Sequence, residues 1–435
     1  MIGVLVATGI EIVIMCMHDS WMTSPGLGGI VVRALVRAVG GEHADVPLPE
    51  ESKAWACALL KASGISLDKT YDVHCHVVGR GHGNTGCCAN ARFSDPCHPV
   101  LKLKMWVFQA AAGVLPHHPD ADAAYMARLR NLLRTFRPRG EQNEELGPFA
   151  CLLAFDKFHS PEGLPLDERS GLYTPNEYVM GLADETPDLF VPVASIHPYR
   201  PDAVDALHAA AAAGACIVKW LPNSQGIDPS DPKCAPFYAA MVELDMALLT
   251  HTGDEHTVDA GGLNNALGNP LLLRAPLAAG VKVIAAHCGS EGMSVDLDAP
   301  SFVRVPSFDL WLRLMDENPR LYGDIAALTS FKRIEHTRTL LLERRDLLPR
   351  LLYGSDYPVP AVNAVVRLSK LVDAGLLPQQ AVPHLRAAYA FNPILFDVLT
   401  KLAIGFPSQV FDTNLHTFLP RLRTAHLSKL ASSTR

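Results

Sequence analysis

The sequence has no long basic block, and its 435 residues carry a formal net charge of −7. Without a basic stripe the electrostatic footprint of a nucleic-acid binder is missing, and that class is set aside. The apolar opening, residues 1–15, is interrupted only by Glu11 and lacks the positive flank of a secretory leader. It is also too short to span a bilayer. A buried strand or an unstructured extension is expected there, and no membrane partner. The ten cysteines are scattered rather than grouped in a short framework, and several fall inside strand or helix runs, so reduced thiols in a cytosolic protein are expected. No internal repeat or low-complexity tract stands out. Charged residues make up only 19% and hydrophobic ones 49%, which excludes a disordered chain and leaves apolar material for one large barrel with additions or for two ordinary domains.

What is present is an alternation of β and helical patterns. Helical patterns at 28–39 and 50–62 precede the first strand candidate, 69–74. Strand alternation there puts Asp72, His74 and His76 on one face and Val73 and Cys75 on the other. Further strand candidates follow at 149–155, 189–196, 215–221, 246–251, 281–287, 321–325 and 351–355. Between the later ones lie helical patterns at 202–213, 235–245, 270–279, 308–317 and 334–348, with another at 362–373. Gly214 and Gly280 stand where a helix is expected to stop. Eight β runs with alternating helices predict an α/β chain closed into a (β/α)₈ TIM barrel. An open doubly wound sheet is the lesser alternative, because no glycine-rich phosphate fingerprint follows the first strand. The expected division is an N-terminal helical extension (1–68), the barrel (69–404) with a long insertion after its first strand (77–149), and a tail (405–435) whose last residues, 431–435, look disordered.

Four strand candidates run into residues that bind metals. Tyr71-Asp72-Val73 leads to His74-Cys75-His76, and the run ending at Thr250 leads to His251. The run ending at Ala286 leads to His287, and Leu351-Leu352-Tyr353-Gly354-Ser355 leads to Asp356. Lys219 ends a fifth. A parallel barrel gathers the C-terminal ends of its strands at one mouth, and imidazoles with a carboxylate are the donors of a zinc-class divalent ion. The insertion directly after a ligand strand is expected to serve as lid or pocket wall. Its His82, Cys87, Cys88, Cys97 and His98 fit no common zinc spacing and are read as loop and wall residues.

In this order the residues resemble the amidohydrolase superfamily of metal-dependent barrel hydrolases. The wording is closest to its amidohydrolase-related branch, which includes the aminocarboxymuconate-semialdehyde decarboxylase group. His74-Cys75-His76 matches the family's HxH after the first strand, and Lys219 in Ile217-Val218-Lys219-Trp220-Leu221-Pro222 resembles its fourth-strand lysine. His251 matches the fifth-strand histidine, His287 in His287-Cys288-Gly289 the sixth, and Asp356 in Gly354-Ser355-Asp356-Tyr357-Pro358 the eighth. Asn392 and Phe396 resemble the asparagine and apolar residue of the closing helix, and the resemblance spans residues 69–400.

The resemblance implies a metal site built from His74, His76, Lys219, His251, His287 and Asp356, holding one or two divalent ions, zinc first. In binuclear members the lysine takes up carbon dioxide as a carbamate that bridges two metals, and burial favours the neutral amine this needs. An ion with open positions lowers the pKa of bound water from about 15.7 toward about 7 and polarises the scissile carbonyl. Asp356 is the implied general acid/base. Substrate contacts are expected from His197, Arg200, Trp220, Arg80 and His82. Arg200 can hold a carboxylate bidentately, or Arg200-Pro201-Asp202 can be an ordinary helix start.

The leading reading is a cytoplasmic metal-dependent hydrolase acting on a C–N or C–O bond of a small molecule, such as an amide, cyclic amide or lactone. A homo-oligomer is compatible with it. The first rival is a non-oxidative decarboxylase with a single metal, since the His-Cys-Gly and Gly-Ser-Asp-Tyr-Pro wording recurs in that branch. The second is a barrel that has lost catalysis and acts as a binding protein, against which the retention of every ligand position argues.

Overall fold

The computed structural model of the chain describes residues 46–114, 118–136, 147–258, 262–362 and 364–433. The apolar opening at 1–15 and the helical pattern at 28–39 lie outside the described residues. The principal strands are β1 (Tyr71–His76), β2 (Phe149–Leu153), β3 (Phe190–Val193), β4 (Ile217–Trp220), β5 (Ala247–His251), β6 (Lys282–Ala286), β7 (Leu321–Asp324) and β8 (Leu351–Leu352). Each of the expected β runs overlaps one of them. The fold is α/β, and these strands pair only in parallel, in a three-stranded sheet β1-β2-β3 and a five-stranded sheet β8-β7-β6-β5-β4. Single parallel bridges, Ala194 with Val218 and Cys75 with Tyr357, join the two sheets at either edge.

These segments are strands because both faces are buried. Phe149–Leu153 and Ala247–His251 are buried at every position, and such continuous apolar runs suit a parallel sheet covered on both sides. One set of alternate side chains fills the inner space: Tyr71, Val73, Cys151, Leu153, Val193, Leu249 and Ile284 belong to a single buried cluster. Their neighbours Leu152, Leu248 and Val283 join a larger cluster outside it. Simple alternation fails in β1, where the register slips between Asp72 and Cys75. As a result Val73, expected opposite His74, joins the inner cluster. Asp72 instead accepts hydrogen bonds from Ser355 N (2.8 Å) and Ser355 Oγ (2.5 Å).

Helices Ala203–Ala212, Ala235–Glu243, Arg274–Ala278, Ser307–Glu317 and Ile334–Leu342 separate successive strands as expected. A further helix, Asn176–Glu185, precedes β3 and buries Val179, Met180, Leu182 and Ala183. The pattern expected at 362–373 is helical only over Leu368–Asp373, in keeping with the β-branched Val362, Val365 and Val366 ahead of it. Two helices follow, Ala381–Phe391 and Pro393–Ala403. Asn392 between them has extended dihedrals, and its side chain accepts from Ile394 N and Leu395 N. That cap, followed by proline at the first helical position, is favourable chemistry for a helix start. Its Nδ2 donates to Leu132 O, tying the closing helix to the long connection after β1.

That connection contributes helices Pro99–Ala111 and Ala121–Arg134. Among the described residues no helix is long and apolar enough to cross a membrane.

The tail departs from expectation. Residues Ala431 to Ser433 are the end of a helix, Pro420–Ser433, while 434 and 435 lie outside the described residues. Leu415, Phe418, Leu419 and Leu422 from this region belong to the inner cluster, and His426 Nδ1 lies 2.8 Å from Tyr71 Oη at the start of β1. The tail thus covers the end of the strands opposite the one where His76 and His251 stand. Leu419→Ala, at a fully buried position, is expected to cost about 2–5 kcal/mol of stability, read by chemical denaturation. A dispensable tail would show no change.

Candidate active site

At the C-terminal ends of the strands five of the expected ligands converge. His74 Nε2 lies 3.2 Å from His76 Nε2, 3.2 Å from Lys219 Nζ and 3.5 Å from Asp356 Oδ1. His76 Nε2 lies 3.1 Å from Asp356 Oδ1. The rings of His74 and His287 sit 4.9 Å apart, centre to centre. Ligand atoms of His74, His287 and Asp356 all fall within 4.8 Å of one another. His251 packs edge-on to His287 at 5.2 Å, but its Nε2 is directed at Asp254 O (3.3 Å) and Glu255 Oε2 (3.6 Å).

The arrangement is held from behind. Asp324, at the end of β7, accepts from His74 Nδ1 (2.8 Å) through Oδ2 and from His287 N (2.8 Å) and Ala326 N (3.1 Å) through Oδ1. His287 Nδ1 donates to Ala326 O at 3.0 Å. With the proton fixed on Nδ1 in both rings, each neutral imidazole presents Nε2 as a lone pair. A carboxylate behind one ligand and a carbonyl behind another are the usual partners of metal-binding histidines, so the donor set suits a divalent ion. Asp356 N donates to His74 O (2.8 Å), and Lys401 Nζ donates to Gly354 O (2.7 Å), which braces the turn that carries Asp356. Gly354 is required there, because a Cβ would come within 2.8 Å of His74 Cβ.

Burial sets the charges. Desolvation, reinforced by Lys219, lowers His74 to about 4. It also lowers His287, with Arg333 adding to the effect, and His251. All three are therefore neutral at neutral pH. Lys219 falls to about 8, chiefly through burial, with Asp324, Asp356 and Glu255 opposing the shift. Burial alone would raise Asp356, but His287, His76 and His74 together hold it well below the usual carboxylate range.

The ligands open into a cavity of about 330 Å³. Arg80 lines it, as do Glu255 and Glu291. The other expected substrate residues are placed elsewhere. Trp220 is fully buried against Phe237 and Tyr238, because it neighbours the inward Lys219 and strand neighbours point to opposite faces. The His197 ring is 3.0 Å from Gln225 O. Arg200 pairs with Asp156 and Asp202, which matches the helix-start reading rather than a substrate clamp. His82 Nδ1 accepts from Ala121 N. Asp324 was not singled out from sequence, although an acid closing Leu321-Tyr322-Gly323 carries the same strand-end signal as Asp356.

Residues 161–383 match the family model described as amidohydrolase. That stretch holds Lys219, His251, His287, Asp324 and Asp356, while His74 and His76 precede it. No curated protein matches the chain. Among solved structures the chain is similar to an uncharacterized TIM-barrel protein from Bordetella bronchiseptica (14% identity over 84% of this chain and 99% of that one, TM-score 0.47). It is also similar to a candidate 2-pyrone-4,6-dicarboxylic acid hydrolase from Pseudomonas putida (16%, 77% and 98%, 0.42). A third is a 5-carboxyvanillate decarboxylase from Novosphingobium aromaticivorans complexed with manganese and 4-hydroxy-3-methoxy-5-nitrobenzoic acid (13%, 81% and 96%, 0.40).

Asp324→Asn keeps the size of the side chain and removes the charge behind His74. Metal affinity is expected to fall by about 10- to 100-fold, measured by competition with a chelator of known affinity. Undiminished affinity would mean that His74 needs no such support.

Proposed function

Since the chain belongs to the amidohydrolase family, we propose that it is a metal-dependent hydrolase cleaving a C–N or C–O bond of a small molecule, such as an amide, cyclic amide or lactone. The observation that carries this reading is the convergence of His74, His287 and Asp356 within 4.8 Å, with the back of both rings fixed by hydrogen bonds. His74, His76, His287 and Asp356 would hold the ion, zinc first among candidates; His251 would join them on turning its Nε2 away from Asp254 O and Glu255, and Lys219 as a carbamate would allow a second. Bound there, a divalent ion supplies an activated water and a Lewis acid for the scissile carbonyl. The two single bridges between the sheets support reading the eight strands as one closed (β/α)₈ barrel, with 69–404 as its extent and 77–149 as an insertion over its mouth.

The chain's own residues divide the remaining work. Asp356 is ionised at neutral pH, so its Oδ1 can accept the proton of the attacking water and return it to the leaving nitrogen or oxygen. Lys219, lowered to about 8, has the neutral fraction that carbamate formation requires. Burial of His74, Lys219 and His287 strengthens the charge interactions in the site. A metal-dependent non-oxidative decarboxylase is the second reading, favoured by the His287-Cys288-Gly289 and Gly354-Ser355-Asp356-Tyr357-Pro358 wording. It needs no carbamate at Lys219.

Elemental analysis of protein purified without chelator is expected to find one or two divalent ions per chain. Less than about a tenth of an equivalent, unrecovered on adding zinc, manganese or cobalt, would remove the metalloenzyme reading. Asp356→Asn should keep most of the metal while turnover drops by about two to four powers of ten. Turnover equal to the parent would leave Asp356 as no more than the cap of its turn. Release of carbon dioxide in place of water addition to the substrate would select the decarboxylase.

A further inference from the structure

The cavity has a polar end at the histidines and, elsewhere, apolar walls. Phe93, Met105 and Phe108 from the long connection line it together with Phe155, Leu172 and Val365. One cation in this lining is poorly matched. The Arg333 side chain is only 13% exposed, and its Nε and NH1 atoms are buried with no hydrogen-bond partner among the described residues. Its nearest carboxylate, Glu291 Oε2, stands 3.5 Å from Nε. Glu291 is not a dedicated partner: Lys332 Nζ lies 3.2 Å from Oε1 and His256 Nε2 lies 3.9 Å from it. One carboxylate shared among three basic side chains leaves Arg333 with unmet donors in a buried setting, which is costly unless something supplies acceptors. A guanidinium is no metal ligand, so the ion site does not account for it. Arg333 lines the same cavity as His251 and His287.

We propose that Arg333 anchors a carboxylate group of the substrate, whose apolar body fills the cavity beside it, so that the substrate class is an apolar carboxylic acid bearing the scissile bond between its anionic end and the histidines. The planar guanidinium fork matches a carboxylate bidentately, a geometry that lysine or a neutral side chain does not offer. Glu291 then acts as the competing internal anion that the substrate partly displaces. The inference rests on taking this cavity as the substrate site of the enzyme proposed above.

Two probes of equal size separate charge from apolar burial: 3-phenylpropionate and 3-phenylpropan-1-ol, titrated calorimetrically into the metal-loaded protein. The acid is expected to bind about 10- to 100-fold more tightly than the alcohol, the usual weight of a charged hydrogen-bonded contact. Arg333→Gln should abolish that preference with the metal content and the alcohol's affinity unchanged. Glu291→Gln should tighten the acid several-fold, and it keeps the idea testable should the arginine variant not fold. Equal affinity for acid and alcohol in the parent, full preference in Arg333→Gln, or weaker acid binding in Glu291→Gln would each overturn the proposal. Repeating the titration after chelation separates the two cations, since a preference that vanishes with the metal makes the carboxylate a metal ligand and overturns the Arg333 assignment. Binding needs no turnover, so a protein that binds as stated yet hydrolyses nothing removes the hydrolase reading alone.

Discussion

Asp324 is fully buried, and an isolated carboxylate in such a place would cost several kcal/mol. It is tolerated because groups from three directions converge on it: the His74 ring from β1, the His287 amide after β6, and Ala326 N beyond its own strand. Each of these bonds also fixes something the site requires. The His74 bond sets which ring nitrogen carries the proton, and so which one faces Lys219 and Asp356. The His287 bond pins the backbone at the point where β6 turns into the mouth. Removing the charge would loosen two ligand strands at once, which makes this carboxylate more central to the site than its distance from the cavity suggests.

The backbone around it is strained in a consistent way. His287 (φ 56°), Cys288 (φ 54°) and Asp356 (φ 65°) all occupy the left-handed region, at a cost of about 1–2 kcal/mol each for residues with a Cβ. At both turns, hydrogen bonds hold that conformation. His287 N bonds to Asp324 and Cys288 Sγ donates to Asp324 O at 3.2 Å. Asp356 N bonds to His74 O and Val359 N to Asp356 O. Asn84, Asp245 and Ala327 share that region, but at His287 and Asp356 the strain accompanies side chains turned toward one point, as a preorganised site predicts. It is not spread through the strands, whose apolar residues pack without it.

Much of this was legible in the sequence, for identifiable reasons. Strands buried on both faces read as continuous apolar runs, so all eight were found. Histidines ending such runs stand out because a buried imidazole needs a partner. Helix Asn176–Glu185 was missed although Val179, Leu182 and Ala183 keep helical spacing, because Gly181 interrupts it. The tail's docking depends on residues more than three hundred positions away, as in the contact of His426 with Tyr71, and local pattern does not carry that information. Trp220 shows a different limit. Its place beside Lys219 at a strand end suggested the mouth, yet adjacency on a strand dictates the opposite face. Arg333 lies beyond a strand end in a loop with no periodic signal, and only its unmet donors in three dimensions single it out.

Lys219 and Asp356 experience the same removal from water and respond in opposite ways. Desolvation disfavours charge on both. For Lys219 the acids nearby offset this only in part, and the amine falls to about 8. At pH 7 that leaves roughly a tenth of the side chain neutral, and at pH 8 about half. For Asp356 the surrounding rings outweigh the penalty, and the carboxylate stays ionised. One buried mouth therefore holds an amine able to react with an electrophile beside a carboxylate able to accept a proton. Two groups that would both carry full charge in water are thereby given separate roles by their neighbours alone. Arg333 extends the same logic to the substrate: in a cavity walled by Phe93, Phe108 and Phe155, an unmet cation is worth more as a recognition element than it would be in water, because little solvent competes for the anion it attracts.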